Sequence, residues 1–183
     1  MDFSNHFLIA MPSLEDPHFS AAVAYVINHD GDGAMGVVIN QPTEHSIADV
    51  LDSLSLSTPS EPIASQPVMC GGPVEPQRGI VLHRDPHQYE SSVVVADTLT
   101  VTTSRDVLDQ LAEDNGPDDF LLALGYAGWS GGQLEREITD NTWLTCPADN
   151  RVVFDVPPDQ RLAAAAALIG IDLARIDPQS GHA

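Results

Sequence analysis

Short apolar runs broken by turn residues fill the first half of this chain, and helical spacing enters later. Phe7 to Met11 is apolar, stops at Pro12 and predicts a first strand. Ala21 to Asn28 and Met35 to Asn40 are apolar, β-branched runs. The His29-Asp30-Gly31-Asp32-Gly33 segment between them predicts a hairpin. From Ser46 the period lengthens. Ile47, Val50, Leu51 and Leu54 fall on one helical face, with Ser46 and Asp49 spaced as a capping box. Ser55 to Pro67 reads as an exposed loop. Strand patterns follow at Val68 to Cys70, Gly79 to His83, Ser92 to Ala96 and Leu99 to Thr102. A helix capped by Ser104 then carries Val107, Leu108 and Leu111 as far as the Gly116-Pro117 stop. Phe120 to Gly125 predicts a buried strand, Gln133 to Asp140 a short helix, and Trp143 to Cys146 and Val152 to Phe154 two short strands. A last helix starts at Pro157-Pro158 and stops at Gly170, and residues 176–183 read as a flexible tail. Hairpins come early, crossovers late, and no repeat or long linker intervenes. The expectation is an α+β fold, one domain over residues 1–175 with a mixed sheet flanked by helices.

Charge changes the picture more than any other compositional fact. Twenty-seven acids face seven basic residues, all arginine, for a formal charge of −20. No basic stripe is available to release counterions from a polynucleotide, so direct nucleic-acid binding and docking on anionic membranes are both disfavoured. A lysine-free acidic surface is well screened in a salt-rich host, and a stability that falls as salt is added would contradict that origin. No apolar run approaches the ~20 residues of a membrane span, and the first residues lack the basic start of a signal peptide. Two distant cysteines, Cys70 and Cys146, predict reduced thiols and a cytoplasmic protein.

The strongest candidate for a site is the run from Gly125 to Ile138, GYAGWSGGQLEREI. Gly125, Gly128, Gly131 and Gly132 surround Tyr126 and Trp129, which suggests a loop that turns sharply between two aromatic walls. A phosphate loop would need Lys-Ser/Thr next; Glu135 and Glu137 stand in the following helix instead and would repel a phosphate. The same residues read equally well as a tight turn that packs Trp129 into the core. A second cluster, Cys70-Gly71-Gly72-Pro73, predicts a turn between strands, with Cys70 either a small buried hydrophobe or a nucleophile. Metal binding is not expected. Pro86 separates His83 from His87, the Asp/Gly alternation at 30–33 lacks the rest of a calcium loop, and there is no zinc-protease motif. Nor does any serine sit in a nucleophile elbow.

Taken together, the segments NHFLIAMPSLEDPHF, GAMGVVINQPT, GGPV with RGIVLH, LGYAGWSGGQLEREI and NTWLTCPAD resemble the AlgH/YqgE family of bacterial proteins, in that family's order and over residues 5 to about 170. The matching positions are Met11, Pro12, Asn40, Gly71, Gly72, Pro73, His83, Gly125, Tyr126, Gly128, Trp129, Gln133 and Glu135, while Ser130-Gly131 replaces a Gly-Ala common in the family. The resemblance implies a compact mixed α/β domain with a small barrel-like sheet in a bacterial cytoplasm. The family often carries the label of transcriptional regulator. A chain of this charge, with no helix-turn-helix pattern, would regulate only through a protein partner or a small ligand.

The resulting expectation is a cofactor-free module that binds a small molecule or a protein. Its cleft would be built from Asn40, Gly71, Gly72, His83, Tyr126, Gly128, Trp129, Gln133 and Glu135. The alternative is an enzyme with His83, Cys70 or Glu135 as acid–base or nucleophilic groups, which requires those side chains to meet within hydrogen-bond reach.

Overall fold

The computed structural model describes residues 1–84 and 87–175. The expected tail, 176–183, lies outside them. Strands β1 (His6–Ala10), β2 (Val23–Asp30) and β3 (Gly33–Val38) form an antiparallel meander, with Gly31 and Asp32 as the hairpin loop between β2 and β3. The predicted hairpin is therefore present, held at its tip by the Asp32 N–H donating 2.8 Å to Asp30 Oδ1. These strands are apolar on both sides because both sides are covered. Phe7, Ile9, Val23 and Tyr25 enter one core cluster, and Leu8, Ala10, Ala24 and Val26 enter another. That double covering explains why the segments show continuous apolar runs rather than strict alternation.

The remaining strands are β4 (Pro42–Ser46), β5 (Pro67–Cys70), β6 (Val74–His83), β7 (Ser92–Ala96), β8 (Leu99–Thr102), β9 (Phe120–Ser130) and β10 (Trp143–Pro147). The main order is β10-β1-β2-β3-β9-β6-β8-β7, with β4 and β5 paired beside it, and the sheet curls into a half-barrel. The β5–β9 pairing is parallel and the others are antiparallel, so the sheet is mixed and the fold is α+β, as expected. Strand β9 is central. It pairs with β6 along Phe120 to Tyr126, with β5 at Ala123 and Leu124, and with β3 from Ala127 to Ser130.

Among the described residues, five α-helices accompany this sheet. Helix α1 (Ile47–Ser53) begins with the predicted capping box: Ser46 Oγ accepts from Asp49 N, and Asp49 Oδ2 accepts 2.7 Å from Ser46 N. Helix α2 (Asp106–Ala112) starts differently from expectation. Arg105 occupies its N-cap position without a side-chain bond, and Ser104 Oγ instead accepts from Ser91 N. Ile47 and Leu51 of α1 and Val107, Leu108 and Leu111 of α2 share a core cluster with Val81, Phe120 and Leu122. Each fully buried aliphatic side chain of this kind contributes ~1.5–3 kcal/mol. Helix α3 (Gln133–Thr139) follows a left-handed Gly132.

The expected strand at Val152 to Phe154 is instead one turn of helix, α4 (Asn150–Phe154). Asp149 caps it by accepting from Arg151 N, and Val152 and Val153 face the core beside Ala165 of α5 (Arg161–Ala167). A three-residue apolar run has no period to distinguish the two states. Among the described residues, no helix is long and apolar enough to cross a membrane.

Candidate functional site

The two glycine clusters do fold together, but they fill each other. Gly71 and Gly72 lie against the backbone of β9. A Cβ on Gly71 would come within 2.2 Å of Gly125 O, one on Gly72 within 2.2 Å of Tyr126 C, and one on Gly125 within 2.4 Å of Gly72 O. Gly125, at φ +77°, and Gly72, at φ +150°, also adopt conformations that side-chain-bearing residues rarely take. The glycines therefore serve a close backbone crossing, where β9 leaves β5 and meets β3. This corrects the expected loop: the chain remains a strand through Ser130, and only Gly131-Gly132 turns.

That correction separates the two rings. Residues three apart on a strand face opposite sides. Tyr126 accordingly packs on the cluster around Phe7 and Tyr25, and Trp129 on the cluster around Leu8 and Trp143. They do not wall one pocket. Trp129 is 6 % exposed, and its indole N–H donates 2.9 Å to Glu137 Oε2. Trp143 donates to the same oxygen at 2.9 Å, and Gln133 Nε2 donates 2.8 Å to Glu137 Oε1. Phe19 closes the group, with ring centroids 6.3 Å from Trp129 and 5.7 Å from Trp143. Gly128, Trp129 and Gln133 border a small cavity of about 240 Å³ here. Glu137, the residue on which this corner converges, carried a sequence signal in its i, i+4 spacing from Gln133.

The other predicted residues are dispersed. Asn40 accepts from Val23 N and donates to Ala21 O, each at 2.8 Å, stapling the end of β3 to the start of β2. His83 is fully buried, 2.8 Å from Thr102 Oγ1 and edge-on to Tyr89. Glu135 Oε1 lies 3.1 Å from His29 Nε2. Because His29 Nδ1 accepts from Phe3 N, the ring proton sits on Nε2, and neutral histidine can donate to Glu135. The Glu135 carboxyl is held below its usual range, first by its own backbone N–H; burial opposes this and His29 adds to it.

Cys70 is exposed. It sits opposite Leu124 on one side of β9, while His83 sits opposite Phe120 on the other side. Four residues of strand alone place them about 13 Å apart. The acid–base arrangement of His83, Cys70 and Glu135 is therefore not assembled. Among the described residues, no three His, Cys, Asp or Glu side chains converge as a metal would require.

A cavity of about 590 Å³ lies elsewhere, between α1 and α2. Its floor is Val81, Leu122 and Leu124, and its walls are Val50, Leu54 and Leu108. Polar groups gather at the rim, where Gln77, Thr103 and Ser104 accompany Arg105. The Arg105 guanidinium bridges the helices, donating 3.1 Å to Leu54 O and approaching Asp109 Oδ1 at 3.5 Å. The sequence pattern places Val50, Leu54 and Leu108 on helical faces and Val81, Leu122 and Leu124 in strands. Nothing in their spacing shows that two helices stop short of each other.

The profile of the AlgH-like family matches residues 7–174. A UPF0301 protein of Thioalkalivibrio sulfidiphilus is 51 % identical over 182 residues, covering 100 % of this chain and 97 % of the relative. The solution structure of the AlgH protein from Pseudomonas aeruginosa superposes with a TM-score of 0.82 at 45 % identity, over 100 % of this chain and 97 % of that one. A crystal structure from Corynebacterium diphtheriae shares the fold, with a TM-score of 0.73 at 21 % identity over 92 % of this chain and 88 % of its own.

Proposed function

The chain belongs to the AlgH-like family, and from that premise we propose that it is a binding module whose site is the cleft between α1 and α2. The observation that carries this reading is the cleft itself: about 590 Å³, with Val81, Leu122 and Leu124 beneath and Arg105 among its polar residues. Such a build suits a small amphipathic molecule, its apolar part on Val81 and Leu122 and its polar end toward Arg105. Any effect on transcription would pass through that ligand or a protein partner, since a −20 surface repels a polynucleotide. An electrophoretic shift with duplex DNA at ~0.15 M salt would contradict this part of the proposal.

Anilinonaphthalene sulfonate, an apolar anion whose fluorescence rises in apolar surroundings, tests the cleft directly. Wild-type protein should enhance its emission saturably. Leu54→Trp, which fills the cleft from its wall, should abolish the enhancement while cooperative thermal unfolding is retained. Equal enhancement in both proteins would overturn the assignment.

A further inference from the structure

In a chain this acidic, arginines find carboxylates readily. Arg78, Arg84, Arg105, Arg151 and Arg175 each pair with Asp or Glu. Arg161, the first residue of α5, is the buried exception at 7 % exposure. Its Nε donates 2.9 Å to Val156 O and its Nη1 donates to Ile39 O. No carboxylate among the described residues pairs with it, and Nη2 has no hydrogen-bond partner there. Two carbonyl oxygens offer only partial charge, so a whole positive charge is held in the interior without a counter-ion, an expensive arrangement. Burial lowers its pKa to about 10, which leaves it cationic at neutral pH.

Arg161 lines a cavity of about 280 Å³ between the start of β5, the start of β9 and the segment after α4. Pro67, Met69, Phe120, Phe154 and Val156 supply its apolar surface, and polar groups line an equal share. Asp155 also borders it, but both its oxygens accept from Arg84, at 3.1 and 2.9 Å, and that guanidinium lies 5.0 Å over the Phe154 ring. Arg84 also donates 2.9 Å to Asp119 Oδ2, so that group of three keeps one net negative charge, and Arg161 is the lining cation left without a carboxylate partner among the described residues. We infer that Arg161 and this cavity form a binding site for a small monocarboxylate with a flat apolar body.

One cation offsets one negative charge, and the −20 field of the whole protein penalises a second. The volume falls just below the ~300–1,000 Å³ of sites for drug-sized ligands, which restricts the body to about one ring. No lining residue is shared with the cleft between α1 and α2, so this site stands or falls separately from it.

Benzoate and its neutral isostere benzamide distinguish a ligand site from a merely structural arginine. Each is titrated into the wild-type protein at a matched ionic strength of ~0.15 M, with backbone amide shifts and thermal midpoint as readouts. Benzoate should shift the amides of Gln66, Phe154, Val156 and Arg161 saturably and raise the midpoint, and benzamide should bind at least about tenfold more weakly. Val156→Trp plugs the cavity while keeping the Val156 carbonyl that Arg161 uses, and it should lose the response. Leu54→Trp should keep it. Equal binding of the two isosteres, a benzoate response no larger than that to chloride, or persistence of binding in Val156→Trp would overturn the site.

Discussion

The corner built on α3 and the cleft between α1 and α2 are opposites. At the corner, two indoles and a glutamine donate to the two oxygens of Glu137, and Phe19 packs against both indoles. In the cleft, Val50 and Leu54 of α1 and Leu108 of α2 border open space above Val81 and Leu122, with polar residues such as Thr103, Ser104 and Arg105 beside them. The difference shows what conspicuous residues mean in this protein. Its tryptophans and the Gly71-Gly72 and Gly125 crossing mark close packing with only a small cavity of about 240 Å³ beside it, and the larger opening has a floor of ordinary aliphatic residues. Satisfied hydrogen bonds and ring packing make a corner rigid; an unfilled apolar floor leaves room for another molecule.

The contrast can be broken most forcefully at Trp129. Replacing it by alanine should cost about 3–5 kcal/mol in denaturant unfolding, while anilinonaphthalene sulfonate binding to the folded fraction stays unchanged. Loss of the probe signal in folded protein would show that the two regions are not independent. Glu137→Leu leaves both indole N–H groups without their acceptor, and chemical denaturation should register a loss of about 2–3 kcal/mol.

A smaller change sharpens the other side. Ser46→Ala removes the α1 cap and should cost about 1 kcal/mol, loosening one wall of the cleft. The same box gives a pH signature. Asp49 is held below its usual pKa, first by the Ser46 backbone N–H and then by the Ser46 hydroxyl. A depressed folded-state pKa means that the stabilisation is complete above the ordinary aspartate value and disappears as pH falls through the lowered one. The difference in thermal midpoint between wild type and Asp49→Asn should therefore shrink on acidification from neutrality. A difference that grows would reverse the assignment. Smallest of all, Arg105→Ala should alter stability by less than about 0.5 kcal/mol, yet weaken anionic probes of the cleft in a direct titration.

Much of the architecture was legible in local patterns. The β2–β3 hairpin, the Ser46–Asp49 box and helices α2 and α3 follow from spacing and turn chemistry close to each residue. What could not be read locally was long-range. Gly125 looks like a loop residue until Gly71 and Gly72 are seen pressing on the backbone there from more than fifty positions away. Asn40 and His83 look like polar tips of a site, but Val23 and Thr102 of neighbouring strands, and Ala21 in the turn before β2, are their partners. The cleft depends on how far apart α1 and α2 come to rest, and no residue in either helix encodes that distance alone.

Strand β9 has a further consequence for how the protein is made. It supplies the neighbour for β3 on one flank and for β6 on the other, yet it is translated only after residue 119. Until then a growing chain carries three separate sheet pieces, β1-β2-β3, β4-β5 and β6-β8-β7, each with a bare edge of unanswered N–H and C=O groups. The edges at β3, β5 and β6 are closed by one late event, the arrival of eleven residues that join the pieces, so the nascent protein is most vulnerable to mispairing just before that segment emerges.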